Sequence, residues 1–288
     1  MLTMSNIEQE MRHAIDRYFT FESLRSYAHT YLDSKLEESL YFSNLLYFHY
    51  EMFDGEANAQ IDRASAAIEL LILSSDILDD IQDQDSPLKP WMQTPMPLAL
   101  NVAFSLLIAG QQMLQECDYE TKRLRLAIET VNRSILISLN GQMRDLMNDA
   151  KDSEAYIEMV KEKSASLIVM ASMVGVILAT GQWNYTVEAY AREMGIMAQL
   201  SNDLRDSLRT DEKSDFVSDK HTLPKLYNMS ESMDMDLDKR EQLYEDNGTI
   251  LYMQVMIKAH YYSCMESFNS LPQSEAWRKR FDQFFTRI

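Results

Sequence analysis

Residues 68–83 read IELLILSSDILDDIQD, an apolar helical run that ends in an acidic cluster. Because positions three and four apart share one face of a helix, we expect Asp76, Asp79, Asp80 and Asp83 to form one acidic stripe. A D-D-x-x-D pattern alone is more often a solvated helix end, but the apolar run before it favours a buried helix. Like charges at this spacing cost roughly 0.2–0.5 kcal/mol per pair, and a divalent cation relieves their repulsion. The pattern therefore predicts a Mg²⁺ site that also holds a substrate phosphate.

A second acidic cluster lies in residues 195–206, which read GIMAQLSNDLRD. On a helix, Gln199, Asp203 and Asp206 share one face. Asn202 stands where the first cluster has an aspartate and can ligate a metal only through its neutral carbonyl oxygen, so we expect this cluster to hold a cation more weakly. Two such clusters facing each other across a cavity would hold Mg²⁺ and, through it, a diphosphate.

Lysines accompany the segments between and after the two clusters. The sequence reads GQMRDL at 141–146, KSASL at 163–167 and KHTLP at 220–224. A lone lysine is usually a solvated surface charge. Lys163 is a better candidate because it adjoins the most apolar helix of the chain, where a side chain aimed inward could bind a diphosphate as a point charge.

Composition predicts an all-α protein. The chain has 288 residues but only 7 glycines and 6 prolines, which argues against a loop-rich β protein, and helical periodicity covers most of its length. We expect a bundle of helices around a central cavity, in a single domain over residues 1–288. The predicted helices are two or three within 5–53 with breaks near Thr20 and Leu32, then 58–84, 98–116, 119–150, 153–180 and 184–209, a mobile loop at 210–220, and two or three helices within 223–287.

Charge and cysteine usage exclude several classes of protein. The formal net charge of −18 argues against nucleic-acid binding because no basic stripe offsets it. Two cysteines do not make a disulfide framework, and the first residues lack a signal-peptide core, so we expect a cytoplasmic protein, with peripheral membrane association left open. The longest apolar stretch, 167–180, is about 14 residues and is predicted to be a buried core helix, since a bilayer span needs about 20.

Taken in order, these motifs resemble those of the trans-isoprenyl diphosphate synthases. Two D-D-x-x-D clusters enclose a G-Q-x-x-D-L and a K-[ST]-x-x-L segment, and K-x-T-L-P follows, so that the resemblance spans about residues 60–230. Each motif is weak alone, but their order is specific. The resemblance implies the all-α isoprenoid synthase bundle, in which carboxylates bind two or three Mg²⁺ ions that grip an allylic diphosphate.

The resemblance also implies roles for the residues that match those motifs. The implied catalytic residues are Asp79, Asp80, Asp83, Lys163 and Asp203. The implied metal ligands are Asp79, Asp80, Asp83, Asp203, Asp206 and Asn202. The implied diphosphate contacts are Lys163 and Lys220, the supporting residues are Asp76, Gln142 and Gln199, and the small residues that set the length of the prenyl tail are Ser74 and Ser75.

Two cationic motifs of that family are missing. The expected G-G-K-R segment is replaced by 52–60, which reads MFDGEANAQ, and the expected R-R-G after the first cluster is replaced by 86–91, which reads SPLKPW. The lysine expected shortly after the second cluster is displaced to Lys213. In the family, the two missing motifs bind the diphosphate of isopentenyl diphosphate. The donor half of the site therefore matches the family, whereas the acceptor half departs from it.

The departures favour an acceptor other than isopentenyl diphosphate. The chain resembles the ComQ-type branch, whose members prenylate a tryptophan of a ComX-like quorum-sensing pheromone precursor peptide. It is thus predicted to be a Mg²⁺-dependent prenyltransferase that uses farnesyl or geranyl diphosphate and a precursor peptide. Relatives are commonly homodimers, so a homodimer stays open, and no general base can be named.

Other functions remain as alternatives. A chain-elongating polyprenyl diphosphate synthase that uses isopentenyl diphosphate comes second. A terpene cyclase would need Ser or Thr at Asp206 and Glu at Thr210, and the sequence has neither. A non-catalytic helical partner is disfavoured by the nearly complete acidic clusters.

Overall fold

The computed structural model describes residues 4–208, 221–227 and 237–286, and all regular elements in these ranges are helices. In chain order they are α1 (Met4–Tyr18), α2 (Glu22–Leu36), α3 (Tyr41–Met52), α4 (Ala59–Asp83), α5 (Met96–Gln115), α6 (Thr121–Leu146), α7 (Ser153–Val160), a π-helical turn (Lys161–Ala165), α8 (Ser166–Thr180), α9 (Tyr185–Ser207), α10 (Leu223–Tyr227), α11 (Leu237–Asp246), α12 (Thr249–Asn269) and α13 (Ser274–Asp282). The predicted all-α class is confirmed.

Most predicted helix boundaries lie within a few residues of the observed ones. The break near Thr20 is present, but the second break falls at 37–40 rather than near Leu32, because Leu32 is fully buried and α2 continues through it. The predicted loop at 210–220 lies outside the described residues. Helix α4 begins and ends as its sequence predicts: the Asn58 side chain accepts hydrogen bonds from the first backbone N–H groups, and Gln84 ends the helix in a left-handed conformation.

The chain divides into two compact units, 1–132 with 171–183 and 133–170 with 184–288. The division falls inside α6 and α8, so each of these helices belongs partly to both units. The prediction of a single domain stays a prediction.

The first unit is built around α4. This helix packs along α5, with α1 and α3 against its other sides, and its residues from Ala64 to Ser74 are buried. Close packing with α5 depends on Gly110, where an added Cβ would lie 2.8 Å from the carbonyl oxygen of Ala67. A helix buried on all sides explains why the run before the first acidic cluster is apolar around its whole circumference.

The second unit pairs α9 with α12. One of its core clusters joins residues of α7, the π-helical turn, α9, α10 and α12, among them Tyr156, Ala165, Leu200, Leu223 and Met253. This core fixes the first half of the 153–180 helix against the helix that holds the second acidic cluster.

Two helical stretches, Met96–Gln115 and the continuous Ser153–Thr180, are long and apolar enough to cross a membrane by length and composition. The second of these contains residues 167–180, the apolar run predicted to be a core helix, and it extends from 153 as predicted because the π-helical turn joins α7 to α8 without a break. Burial inside the protein covers 72% of the most apolar window of Ser153–Thr180 but only 44% of that of Met96–Gln115. The burial of the longer stretch agrees with the predicted core helix.

Candidate active site

The first acidic cluster occupies the last two turns of α4, and its central residue is Asp80. Asp80, Asp79 and Asp83 are all partly buried. The indole nitrogen of Trp91 donates a hydrogen bond of 2.6 Å to Oδ2 of Asp80. Burial, together with the neighbouring carboxyl group of Asp85, raises the pKa of Asp80 to about 7. A carboxylate in such a place gains from a nearby cation, which is the property that a metal ligand needs.

Asp76, one turn earlier, is bound by a lysine from α2. Nζ of Lys35 lies 2.7 Å from Oδ2 of Asp76. The Lys35 side chain is only 8% exposed, and its pKa is raised by Asp76 and by Glu69, which outweigh the opposing effect of burial. The structure thus gives Asp76, the residue predicted to support the metal site, a lysine partner within the first unit.

Ser74 and Ser75 lie on different sides of α4. The hydroxyl of Ser74 is fully buried and donates to the carbonyl oxygen of Ala103 on α5 at 2.8 Å. The hydroxyl of Ser75 is partly buried and bonds to the carbonyl of Leu71 in its own helix. Space for a larger side chain is therefore more restricted at Ser74 than at Ser75.

The second cluster is organised by Asp203, whose two oxygens both accept hydrogen bonds. Tyr156 of α7 donates to Oδ2 at 2.5 Å, and Nε2 of Gln199 donates to Oδ1 at 2.9 Å. Ser164 of the π-helical turn donates in turn to Gln199 at 2.8 Å. Asp203 is only 2% exposed, so these bonds fix the orientation of a buried carboxylate, as the outer partners of metal ligands commonly do.

Asn202 and Asp206 flank this carboxylate. Asn202 is exposed, and its amide oxygen accepts a hydrogen bond from Arg205 at 3.1 Å. Asp206, one turn after Asn202, is partly buried. Within the second cluster, Asp203 is therefore the residue that the surrounding helices hold most firmly.

Lys163 pairs with the aspartate of the G-Q-x-x-D-L segment. Its Nζ lies 2.6 Å from Oδ2 of Asp145, and both side chains are largely buried. Lys163 stands on the π-helical turn, a feature often found at functional sites. Lys163, one of the predicted diphosphate contacts, is therefore already paired with a carboxylate. To bind a diphosphate, Lys163 would have to leave Asp145 or contact both anions at once.

Two glycines pack against this turn, Gly141 of the G-Q-x-x-D-L segment and Gly195 of the segment that holds the second acidic cluster. A Cβ on Gly141 would lie 2.2 Å from the backbone nitrogen of Lys163, and one on Gly195 would lie 2.4 Å from Cα of Ala165. Neither distance leaves room for a side chain. Gln142, the residue after the first glycine, is buried. The glycines of both segments therefore serve the close approach of α6 and α9 to the segment that includes Lys163.

Lys213 and Lys220 both lie outside the described residues. His221, which follows Lys220, is described. Its backbone N–H donates to the side chain of Asn148 at 2.9 Å, and its ring nitrogen Nδ1 lies 2.9 Å from the carbonyl oxygen of Ala150. These contacts attach the start of the H-T-L-P segment to the chain that follows α6.

The donor chemistry suits Mg²⁺, which prefers carboxylate oxygens and usually keeps several waters and substrate phosphates as further ligands. In the described ranges, no three side chains among Asp, Glu, His and Cys form a group that could hold a metal ion by itself. An ion that shares its ligands with a diphosphate does not require such a group. The roles of the predicted metal ligands stay predictions.

Sequence patterns alone did not single out three residues that the structure places at the clusters. Trp91 contacts Asp80, Tyr156 contacts Asp203, and Lys35 contacts Asp76. Trp91 lies in the segment that replaces R-R-G, and this replacement was the one available signal for it. Tyr156 and Lys35 lie on other helices and had no local signal.

Comparison with known proteins is consistent with this arrangement. The family model of polyprenyl synthetases matches residues 43–254. The chain belongs to the polyprenyl synthetase family. It is 33% identical to tryptophan prenyltransferase ComQ of Bacillus subtilis subsp. natto, over 93% of this chain and 88% of that protein. Its identity to ComQ of Bacillus subtilis strain 168 is 35%, over 75% of this chain and 70% of that protein.

Solved structures of the family have the same fold. The geranylgeranyl pyrophosphate synthetase of the archaeon Geoglobus acetivorans matches with a TM-score of 0.79 at 18% identity, over 97% of both chains. The predicted isoprenoid synthase fold and the predicted resemblance to ComQ are thereby confirmed.

Proposed function

We propose that this protein is a Mg²⁺-dependent prenyltransferase that transfers a farnesyl or geranyl group from its diphosphate to a tryptophan of a precursor peptide. The relatives named ComQ and the family support a transferase of this kind. The proposed peptide is a ComX-like pheromone precursor.

The choice of acceptor rests on the ion pairs that two lysines beside the first cluster already form. Lys35 is ion-paired with Asp76, and Lys89 is ion-paired with Glu38 and lies over the ring of Trp91, 5.2 Å from its centroid. A second diphosphate entering there would have to displace these carboxylate partners, and the cationic motifs that bind it in the family are missing. Lys163 would exchange its own partner, Asp145, for the donor diphosphate, but there the proposed Mg²⁺ ions would add to the attraction. An indole is uncharged and needs no such partner, which favours a tryptophan over isopentenyl diphosphate.

In the proposed mechanism, Asp79, Asp80, Asp83 and Asp203 would hold the ions, and Lys163 would contact the leaving diphosphate. Magnesium, when bound, supplies neutralisation of the charge that develops as the C–O bond breaks. Tyr156 and Gln199 keep Asp203 oriented, and Trp91 holds Asp80. The acceptor indole is already nucleophilic, so orienting it against the allylic carbon is the main remaining task of the protein.

The purified chain should be incubated with Mg²⁺ and farnesyl or geranyl diphosphate, and divided between isopentenyl diphosphate and a tryptophan-containing precursor peptide. Mass spectrometry is expected to show a prenylated peptide, no longer-chain diphosphate, and no product with EDTA or with a peptide in which Phe replaces the Trp. Elongated diphosphates with an unmodified peptide would instead establish the chain-elongating alternative.

The length of the prenyl tail is tested best at Ser75. Ser75→Phe places a bulky group on α4 ahead of the cluster and is expected to shift the donor preference from farnesyl towards geranyl diphosphate, by roughly tenfold in the ratio of kcat/KM values, because shape rejection in an apolar pocket is worth about 1–3 kcal/mol. Ser74→Phe is a poorer test, since Ser74 is buried against α5. An unchanged ratio for Ser75→Phe in competition assays with both donors would contradict the assignment.

We also propose a homodimer in a reducing, cytoplasmic setting. The apolar side chains of Met96, Phe104 and Ile108 on α5 are more than half exposed. Their spacings of eight and four residues put them on one face of the helix, and an exposed apolar face of this kind often marks a protein–protein contact. Light scattering is expected to give the mass of a dimer for the wild type and of a monomer for Phe104→Glu.

The proposed reducing setting is supported by the two cysteines, because Cys117 and Cys264 are buried and free.

A further inference from the structure

We propose that Trp91 is a positioning residue, whose indole N–H fixes the carboxylate of Asp80 for metal binding. This inference rests on the proposed function, because it assumes that Asp80 is a metal ligand. It adds a residue on the loop between α4 and α5, which the acidic motif does not include.

The contact is short, and its donor is buried. The hydrogen bond from Nε1 of Trp91 to Oδ2 of Asp80 measures 2.6 Å, and Trp91 is only 2% exposed. A hydrogen bond to a charged acceptor is about twice as strong as one between neutral groups. A buried indole N–H needs an acceptor, and here that acceptor is a carboxylate of the acidic cluster rather than a backbone carbonyl.

Two neighbouring side chains contact the indole ring. The ring of Tyr31 on α2 meets it edge-on, with centroids 5.6 Å apart, and Nζ of Lys89 lies 5.2 Å from its centroid. Lys89 is anchored by its ion pair with Glu38, next to the end of α2. The ring therefore has little freedom to rotate, so its N–H direction is set by the packing of the first unit.

The backbone after α4 turns so that Trp91 can reach back to the helix. Gln84 and Ser86 both adopt positive φ angles, 55° and 53°, an uncommon conformation for residues other than glycine. Successive turns follow, in which the N–H of Lys89 bonds to the carbonyl of Ser86 and that of Met92 bonds to Lys89. Strained backbone of this kind is often found at functional sites, and here it returns the chain to the acidic end of α4.

Trp91→Phe removes the N–H donor and keeps an aromatic ring. The affinity for Mn²⁺, used in place of Mg²⁺ and measured by electron paramagnetic resonance with inorganic diphosphate present, is expected to fall by about tenfold, since removal of a partner of a metal ligand typically costs 10–100-fold. The Mg²⁺ concentration for half-maximal transfer should rise similarly, with the KM for the peptide unchanged. Trp277→Phe, on α13 in the second unit, is the matched control.

A purely structural role makes a different prediction. In that case Trp91→Phe lowers the melting temperature and leaves Mn²⁺ affinity unchanged, and this result would overturn the inference. If Trp91→Phe does not fold, replacement of Trp91 by 3-benzothienylalanine keeps the shape of the indole and removes only the donor, and the same loss of Mn²⁺ affinity is expected. A wild-type chain that binds Mn²⁺ with diphosphate but prenylates no peptide would refute the proposed acceptor, while the Mn²⁺ measurement on the variant would still decide the role of Trp91.

Discussion

Asp80→Asn is expected to lower kcat/KM for peptide prenylation by at least about 10³-fold, equivalent to roughly 4 kcal/mol of transition-state stabilisation. Asp80 stands at the end of α4, partly buried and beside a second carboxyl group, so its charge is poorly compensated by the protein itself. The amide has nearly the same shape but supplies no negative charge to a divalent cation. The loss should appear in steady-state assays at saturating Mg²⁺.

The fold of this variant should remain intact. The raised pKa of the Asp80 carboxyl group means that its charge is disfavoured in the folded protein, so its removal should not disturb helix packing. The helical circular-dichroism spectrum and the melting temperature are therefore expected to be retained. Asp16→Asn is the matched control, because Asp16 is an exposed carboxylate in the same unit that bonds only to His29 among the contacts described for it. Full transfer activity in Asp80→Asn would count against the metal assignment.

Local sequence patterns predicted the helices well because their signals lie within the helices. Helix α4 begins at the capping residue Asn58, continues as an apolar run and ends at Gln84, and every part of this can be read from adjacent residues. The break expected near Leu32 was misplaced because the neighbouring sequence lacks a glycine or proline that would mark the true end of α2 at 36.

The candidate site was predictable only in part, for a related reason. The motifs located Asp80, Asp203 and Lys163, but the groups that hold them come from distant parts of the chain. Tyr156 lies 47 residues from Asp203, and Lys35 lies 41 residues from Asp76. No periodicity links such pairs, so their contacts emerge only when the packing of the helices is known.

Lys35 provides the largest expected effect on stability. Lys35→Met should lower the free energy of unfolding by about 3 kcal/mol, because the positive charge of Lys35 lowers the pKa of the buried Glu69 and a buried charge that loses its compensating partner costs about 3–5 kcal/mol. Asp76 is 42% exposed and can regain water. Glu69 cannot, because it is fully buried, and its described contact is the backbone N–H of Ser43, which donates to Oε1 at 2.7 Å. Urea denaturation at pH 7 measures the loss.

The pH dependence of stability is expected to identify Glu69 as the source of this loss. Burial raises the pKa of Glu69 while Lys35 lowers it, so without Lys35 the pKa of Glu69 in the folded state should rise further above its unfolded value. Between those two values the folded state binds more protons than the unfolded state, and stability therefore falls as the pH rises. Lys35→Met should consequently be much closer to the wild type at pH 5 than at pH 8.

Adding Glu69→Gln to Lys35→Met removes the uncompensated charge and keeps an oxygen that can accept the hydrogen bond from Ser43. The double variant should regain much of the stability lost at pH 8 and should lose the pH dependence of the single variant. This non-additivity follows because a buried charge destabilises the protein far more when its partner is missing. If the two substitutions instead destabilise the protein additively, with the same pH profile, then Lys35 stabilises the first unit through packing of its aliphatic stem rather than through its charge.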